Sequence, residues 1–191
     1  MKPDAPGQSA VLLTQVAARL EALEIPYAVI GGLAASFHGV VRSSLDADVV
    51  ISVSNRKGTV TRLIRDLEEA GWRVVEREGG FEDPVASVIA VSDEYSNRVD
   101  ILTGIRGMAA DFDSRTLPAS LFGANLRIIG LEDFIAMKLF AGGPQDLADA
   151  RAALQVSSSA LDVPLLDRLA AGYGRSVVRS LKELLGQMGF R

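Results

Sequence analysis

The pattern of apolar and polar positions predicts strands in the first two thirds of the chain and helices in the last third. Apolar residues at helical spacing, such as Leu12, Val16 and Leu20, predict a first helix from Ser9 to about Leu23, with Ser9 as its N-cap. Short apolar runs bounded by turn residues predict strands at 27–30, 46–53, 72–76, 85–91 and 98–102. Further helices are predicted at 33–38, from Asn55 as N-cap to Ala70, and throughout the segment that follows Gly130.

This order of elements predicts an α+β fold. A mixed β-sheet flanked by helices is expected over residues 1–130, and a C-terminal helical portion over residues 131–191. A chain of 191 residues, 48% of them hydrophobic, is long enough to bury one core with a small helical annex.

Composition excludes several kinds of site. The chain has no cysteine, which rules out disulfides and thiolate metal sites and fits a cytoplasmic protein. The single histidine, His38, rules out a histidine-rich zinc site, and no apolar run reaches membrane-spanning length. A net charge of -4 argues against a broadly basic nucleic-acid surface but leaves a local patch open. The basic positions Arg56, Lys57, Arg62 and Arg65 on one side of a predicted helix fit a solvated face or a guide for RNA.

Asp46 and Asp48 are the first candidate chemical group. Side chains alternate along a strand, so these two carboxylates lie on the same face, whereas Ala47 and Val49 belong to the apolar face. Two neighbouring carboxylates repel each other unless a cation or a proton lies between them. Mg²⁺ held by carboxylates and by substrate phosphates is the usual solution.

Gly31 and Gly32 form the second candidate group, between a predicted strand and a predicted helix. Glycine lets the backbone approach a ligand closely, and N–H groups at the start of a helix favour phosphate. A plain strand-to-helix turn explains the same pair of residues.

Asp100 is a third acid inside an apolar strand. Paired with Arg98 it has a purely structural explanation. Beside the strand of Asp46 and Asp48 it completes a cluster of three carboxylates, which would hold two cations around an in-line phosphoryl displacement, with one acid as a base for the incoming hydroxyl.

Gly31-Gly32 and Asp46-Ala47-Asp48, with thirteen residues between Gly32 and Asp46, resemble the signature of the DNA polymerase β-type nucleotidyltransferase superfamily. The segment 31–48 further resembles the branch of AbiEii-type nucleotidyltransferase toxins. The resemblance implies a nucleoside triphosphate such as ATP as substrate, Mg²⁺ or Mn²⁺ as cofactor, and Asp100 as the third carboxylate. It also places Arg42 and either Ser43 or Ser44 near phosphate, although Arg42 could instead pair with Asp46.

Lys138 belongs to the predicted helix after Gly130. It shares an apolar stripe with Leu131, Phe134 and Ile135, so it faces inward. The resemblance implies a functional lysine that meets the triphosphate, whereas a lysine that snorkels to water is the structural alternative. The roles of His38, Asp146 and Asp149 stay open at this point.

The sequence therefore predicts a Mg²⁺-dependent nucleotidyltransferase that transfers a nucleoside monophosphate to RNA, protein or a small molecule. By resemblance it is toxin-like, with a possible cognate antitoxin as partner and no membrane association. Two alternatives stay open: an aminoglycoside-type antibiotic nucleotidyltransferase, and a non-catalytic module that binds a nucleotide or a partner.

Overall fold

A computed structural model describes residues 1–40, 46–53, 56–157 and 160–189. Its strands form one mixed sheet of seven, in the spatial order β3-β4-β5-β2-β1-β7-β6. The strands are β1 Tyr27–Ile30, β2 Ala47–Ile51, β3 Arg73–Glu78, β4 Ser87–Ser92, β5 Arg98–Thr103, β6 Leu117–Leu121 and β7 Ala124–Ile128.

The helices lie on the sheet or follow it. They are α1 Ser9–Ala22, α2 Gly31–Phe37, α3 Arg56–Glu69, α4 Leu131–Ala141, α5 Pro144–Ser157, α6 Val163–Tyr173 and α7 Arg175–Gln187, with a 3₁₀ turn at Phe112–Arg115. Local chemistry fixes several ends: Gly142 ends α4 in the left-handed conformation, and the Asp162 side chain accepts a hydrogen bond from the Leu165 N–H at the start of α6.

The middle of the sheet brings together strands that are distant in sequence. β1 runs antiparallel to β2 and parallel to β7, while β2 runs parallel to β5. In this register Asp48 lies opposite Ile30 on one side and opposite Asp100 on the other. The predicted acidic positions therefore occupy neighbouring strands.

The two faces of the sheet differ. On one face the fully buried Val49, Ile89 and Ile101 join the core beneath α1 and α3. On the other face, Ile30 in β1 is buried, whereas Val75 on the outer strand β3 is 49% exposed. The second face is therefore covered over the middle of the sheet and open over the β3–β4–β5 side.

The C-terminal helices are tied to the sheet domain by a buried ion pair. Arg115 in the 3₁₀ turn donates from Nε and Nη2 to the two carboxylate oxygens of Asp133 in α4, at 2.6 and 2.8 Å. Asp133 is 3% exposed, and the pKa of Arg115 is raised, chiefly by the hydrogen bond to this carboxylate. A two-pronged buried pair of this kind fixes the orientation of α4.

The structure confirms the α+β class, the mixed sheet and the C-terminal helices. The predicted capping by Ser9 is wrong: Gln8 precedes the helix, and the Ser9 hydroxyl accepts a hydrogen bond from the Arg98 N–H at 3.0 Å. The hairpin of β6 and β7 was not predicted. The predicted cap Asn55 lies outside the described residues, and the division at residue 130 stays a prediction.

Within the described ranges, none of the helices combines the length and apolarity needed to cross a membrane.

Candidate functional site

The candidate site is built on β2 and β5. Asp48 and Asp100 are register partners on these parallel strands, so their side chains lie next to each other on the same face of the sheet. Asp46 lies two residues before Asp48, at the exposed entrance of β2. The Asp100 side chain is 18% exposed, which leaves its carboxylate accessible from the open face.

Arg98 lies beside these three acids and contacts one of them. Its Nε donates to Asp100 Oδ1 at 2.7 Å, and its side chain is 49% exposed. The pKa of Arg98 is raised, first by the hydrogen bond that it donates to Asp100 and also by the negative charges of Asp100, Asp46 and Asp48. Asp100 thus pairs with Arg98 and is also the register partner of Asp48, whereas its place in a three-carboxylate metal cluster with Asp46 stays a prediction.

The site supplies the oxygen ligands that Mg²⁺ and Mn²⁺ prefer. Within the described part of the chain, however, no three histidine or acidic side chains form a ready-made metal cluster. The Arg98 guanidinium already uses one oxygen of Asp100, so a cation at Asp100 would compete with Arg98. The donor chemistry therefore fits a hard divalent cation, provided that the Arg98 side chain moves away from Asp100 when the cation binds.

The turn after β1 packs directly against the Asp48 carboxylate. Gly31 has a left-handed φ of +64°, and a Cβ at this position would overlap Asp48 Oδ2 and lie 2.9 Å from Asp48 Cγ. Glycine is needed here both for the backbone conformation and for the close approach. The turn of Gly31 and Gly32 therefore packs directly against the Asp48 carboxylate, independently of any role in phosphate binding.

A cavity of about 450 Å³ adjoins the turn and lies between the sheet and α4. The end of β1 contributes Ile30 and Gly31, the end of β5 contributes Leu102, and α4 contributes Met137 and Lys138. The cavity thus has the lysine and the glycine turn in its walls. Its charged lining residues are two cations and two acids: Arg106, Lys138, Glu82 and Asp146.

Lys138 is buried, as its apolar stripe predicted, with 9% of its side chain exposed. Its ammonium lies 2.7 Å from Asp146 Oδ1 and 3.0 Å from Asp149 Oδ2, and Asp149 has no exposed side-chain surface. Gln145 donates a further hydrogen bond to Asp149 Oδ1. Asp146 and Asp149 thus hold the Lys138 ammonium at the start of α5. The lysine side chain neither extends to water nor remains an unpaired cation.

His38 is a packing residue in this structure. It is 6% exposed, its Nε2–H donates to the Ile129 carbonyl at 2.9 Å, and its ring packs against Phe37 and Phe134. Burial lowers the pKa of His38 from its usual value of 6.5. Burial thus favours the neutral imidazole, and the ring links the end of α2 to the segment that follows β7.

The sequence did not reveal two features of the site. The proximity of Arg98 to all three acids depends on strand register, and the only sequence signal was its period-two spacing from Asp100. The β3–β4 loop at the cavity is held by Arg106, which donates to the carbonyls of Phe81 and Asp83. Arg42, Ser43 and Ser44, the candidates predicted near phosphate, lie outside the described residues.

Solved nucleotidyltransferase structures share this fold at low sequence identity. The antigenic nucleotidyltransferase-like protein from Paracoccidioides brasiliensis is 16% identical, with a TM-score of 0.60 over 94% of this chain and 88% of that chain. The antibiotic-resistance factor ANT(2'')-Ia is also 16% identical, with a TM-score of 0.56 over 95% of this chain and 96% of its own. The lincosamide antibiotic adenylyltransferase LnuA is 13% identical, with a TM-score of 0.50 over 81% of this chain and 99% of its own.

No curated protein matches the sequence of this chain. The family model described as a nucleotidyltransferase of unknown function (DUF6036) matches residues 9–185. Together with the fold, this match confirms the resemblance to DNA polymerase β-type enzymes, while the finer assignment to the AbiEii branch stays a prediction. The chain is therefore a nucleotidyltransferase that belongs to the DUF6036 family.

Proposed function

We propose that this nucleotidyltransferase is dependent on Mg²⁺ or Mn²⁺ and transfers a nucleoside monophosphate from a nucleoside triphosphate to a hydroxyl acceptor. One observation carries the proposal: Asp48 and Asp100 are neighbours across β2 and β5, and the glycine turn presses on Asp48 at the edge of a cavity. An acidic pair with accessible oxygens beside a cavity is suited to charge-stabilised phosphoryl chemistry.

The reaction is an in-line displacement at the α-phosphorus. The acceptor oxygen forms a new P–O bond, the bond to the α–β bridging oxygen breaks, and pyrophosphate leaves with the bonding electrons. The acceptor proton passes to Asp100 or to solvent. The products are the nucleotidylated acceptor and pyrophosphate, so the step balances with the triphosphate and the acceptor as its two substrates and needs no oxidant or reductant.

We assign roles to the residues by their positions. Asp46, Asp48 and Asp100 would hold the divalent cation, which when bound offsets phosphate charge and orients the triphosphate. Gly31 keeps the backbone close to Asp48, and the N–H groups of Gly31 and Gly32 at the start of α2 would bind phosphate. Lys138 lies in the cavity wall, within reach of a phosphate group there.

The test is calorimetric binding of each nucleoside triphosphate with and without Mg²⁺. Asp48→Asn keeps the side-chain shape but removes the charge, so it should weaken metal-dependent binding strongly. The matched control is Asp167→Asn on the exposed side of α6. Equal affinity with and without metal, and in both variants, would contradict the proposed metal-dependent transfer and favour a non-catalytic nucleotide-binding module.

The acceptor determines which kind of nucleotidyltransferase this is. Structures similar in fold include an enzyme solved with adenylyl-2''-tobramycin, so an antibiotic acceptor is the second candidate. The charged groups in the cavity wall balance, with Glu82 and Asp146 against Arg106 and Lys138, and this gives a polycationic aminoglycoside no surplus negative charge there. We therefore rank that acceptor second. A toxin-like activity, a cognate antitoxin and a cytoplasmic location remain proposals based on the sequence resemblance and composition.

A further inference from the structure

A second surface adjoins the acids on the open face of the sheet. It is formed by β3, β4 and β5, and we call it the arginine face, consisting of Arg73, Val75, Arg77, Val88, Ala90, Ser92 and Arg98. These residues line an open groove of about 320 Å³. The groove is separate from the 450 Å³ cavity at α4.

Strand register arranges this face in rows. One row runs from Arg73 through Ser92 to Arg98, and the next runs from Val75 through Ala90 to Asp100. Each row continues from the outer strand towards β2, where the acids lie. The arginine face is therefore a continuous path from the edge of the sheet to the proposed catalytic carboxylates.

Charge on this face is opposite to that of the whole protein. The chain has a net charge of -4, yet Arg73 and Arg77 are exposed on the face and have no ion pair with any residue in the described ranges. The acids of β3, Glu76 and Glu78, alternate with these arginines and so belong to the opposite face. The face thus concentrates positive charge beside an apolar floor.

The spacing of the arginines favours an extended polyanion over a single anion. Neighbouring strands are about 4.8 Å apart, so Arg73 and Arg98, two strands apart, are separated by about 10 Å. Arg73 and Arg77, four residues apart along one strand, are separated by about 13 Å. Arginines attached to the backbone at such distances can each contact a separate phosphate of one extended chain, and guanidinium groups bind phosphate in a two-pronged manner.

We propose that the arginine face binds the phosphate backbone of a single-stranded RNA whose terminal hydroxyl is the acceptor. This inference rests on the proposed function, because it names the acceptor of the same reaction. Arg98 is the link between the two sites: its guanidinium contacts Asp100 and ends the row that begins at Arg73. The RNA end then lies at the carboxylates, and its upstream phosphates cross β4 towards β3.

The test measures binding of a fluorescein-labelled single-stranded oligoribonucleotide by anisotropy, without nucleotide or metal. The test variant is Arg73→Ser/Arg77→Ser. The matched control is Arg175→Ser/Arg179→Ser, which removes the same charge from exposed positions on α7, a helix that packs on α4 and α6. All four side chains are exposed, so both variants should fold, and their melting curves check this.

We expect the arginine variant to bind RNA at least tenfold more weakly than the wild type and the control to bind equally well. Each phosphate contact on a single strand contributes about 0.7 to the slope of log K against log salt, so losing two should flatten the slope by about 1.4. Equal affinity and slope in the two variants would overturn the proposal. Equal binding of duplex and single-stranded RNA would overturn its single-strand part.

Two further measurements separate this inference from the proposed function. Calorimetric binding of triphosphate and Mg²⁺ should be unchanged in the arginine variant, since the cavity is intact. If triphosphate binding is metal-dependent but the affinity for RNA is unchanged in the arginine variant, only the inference fails. If gel filtration shows that the substitution only breaks a dimer, the face contacts a second copy of the chain and the inference also fails.

Discussion

The Gly31→Ala substitution tests whether the turn after β1 positions Asp48. Two effects act at this position: an L-residue is strained at a φ of +64°, and the new Cβ overlaps the Asp48 carboxylate. The left-handed conformation costs about 1–2 kcal/mol for a residue with a Cβ. The overlap adds about 1–3 kcal/mol if the surrounding structure resists, as overpacking does elsewhere.

Gly123→Ala is the matched control. Gly123 in the β6–β7 turn has a φ of +79°, but an added Cβ there meets no atom within 4 Å. It therefore carries the backbone cost alone. Denaturant unfolding should show a loss of about 1–2 kcal/mol for Gly123→Ala and a total of about 2–5 kcal/mol for Gly31→Ala.

Function separates the two variants even if the structure relaxes. If the Asp48 side chain rotates away from the new methyl group, stability is partly recovered, but the carboxylate has left its place beside Asp100. Metal-dependent triphosphate binding should then fall in Gly31→Ala and remain in Gly123→Ala. Identical stability and identical binding in the two variants would refute the argument that this turn supports Asp48.

Two more predictions concern buried polar groups. Lys138→Met removes the cation that offsets the fully buried Asp149, so the free energy of unfolding should fall by about 3–5 kcal/mol, whereas Lys138→Met/Asp149→Leu should recover most of it. If Lys138 also meets the triphosphate, that double variant should still transfer roughly 10²-fold more slowly than the wild type, and a normal rate would leave the lysine a structural role. Burial keeps the pKa of His38 below 6.5, so the unfolded chain takes up a proton first and stability should fall as pH drops below 6.5. The slope is at most about 1.4 kcal/mol per pH unit. Urea unfolding at about pH 5.5 and about pH 7.5 should show this difference in stability for the wild type, and the difference should disappear in His38→Gln.

The sequence was most informative where local periodicity alone decides geometry. The shared face of Asp46 and Asp48 follows from alternation in a strand, and the burial of Lys138 follows from its apolar stripe. Asp100 was found because an acid inside an apolar strand is unusual. These predictions required no knowledge of which strands are neighbours.

The sequence was less informative where a residue's partner is distant. Ser9 has the right chemistry for a cap, but its hydroxyl binds the Arg98 N–H instead. The β6–β7 hairpin is short, contains Pro118 and lies at the edge of the sheet, so its strand signal is weak. The available sequence signal was Gly123, because the structure has positive φ at both Phe122 and Gly123, at 51° and 79°, as a type I′ hairpin turn requires.

The charges around the cavity explain why the proposed reaction should need a divalent cation. Lys138 already balances Asp146 and Asp149, and Arg106 is engaged with loop carbonyls. Among the described residues, Arg98 is the remaining cation beside the acids, and it is bound to Asp100. A triphosphate that enters this cavity brings several negative charges next to carboxylates, and the described side chains offer few uncommitted positive charges to receive it. A metal ion held by the acids would convert that repulsion into attraction and would release Arg98 towards an incoming acceptor phosphate.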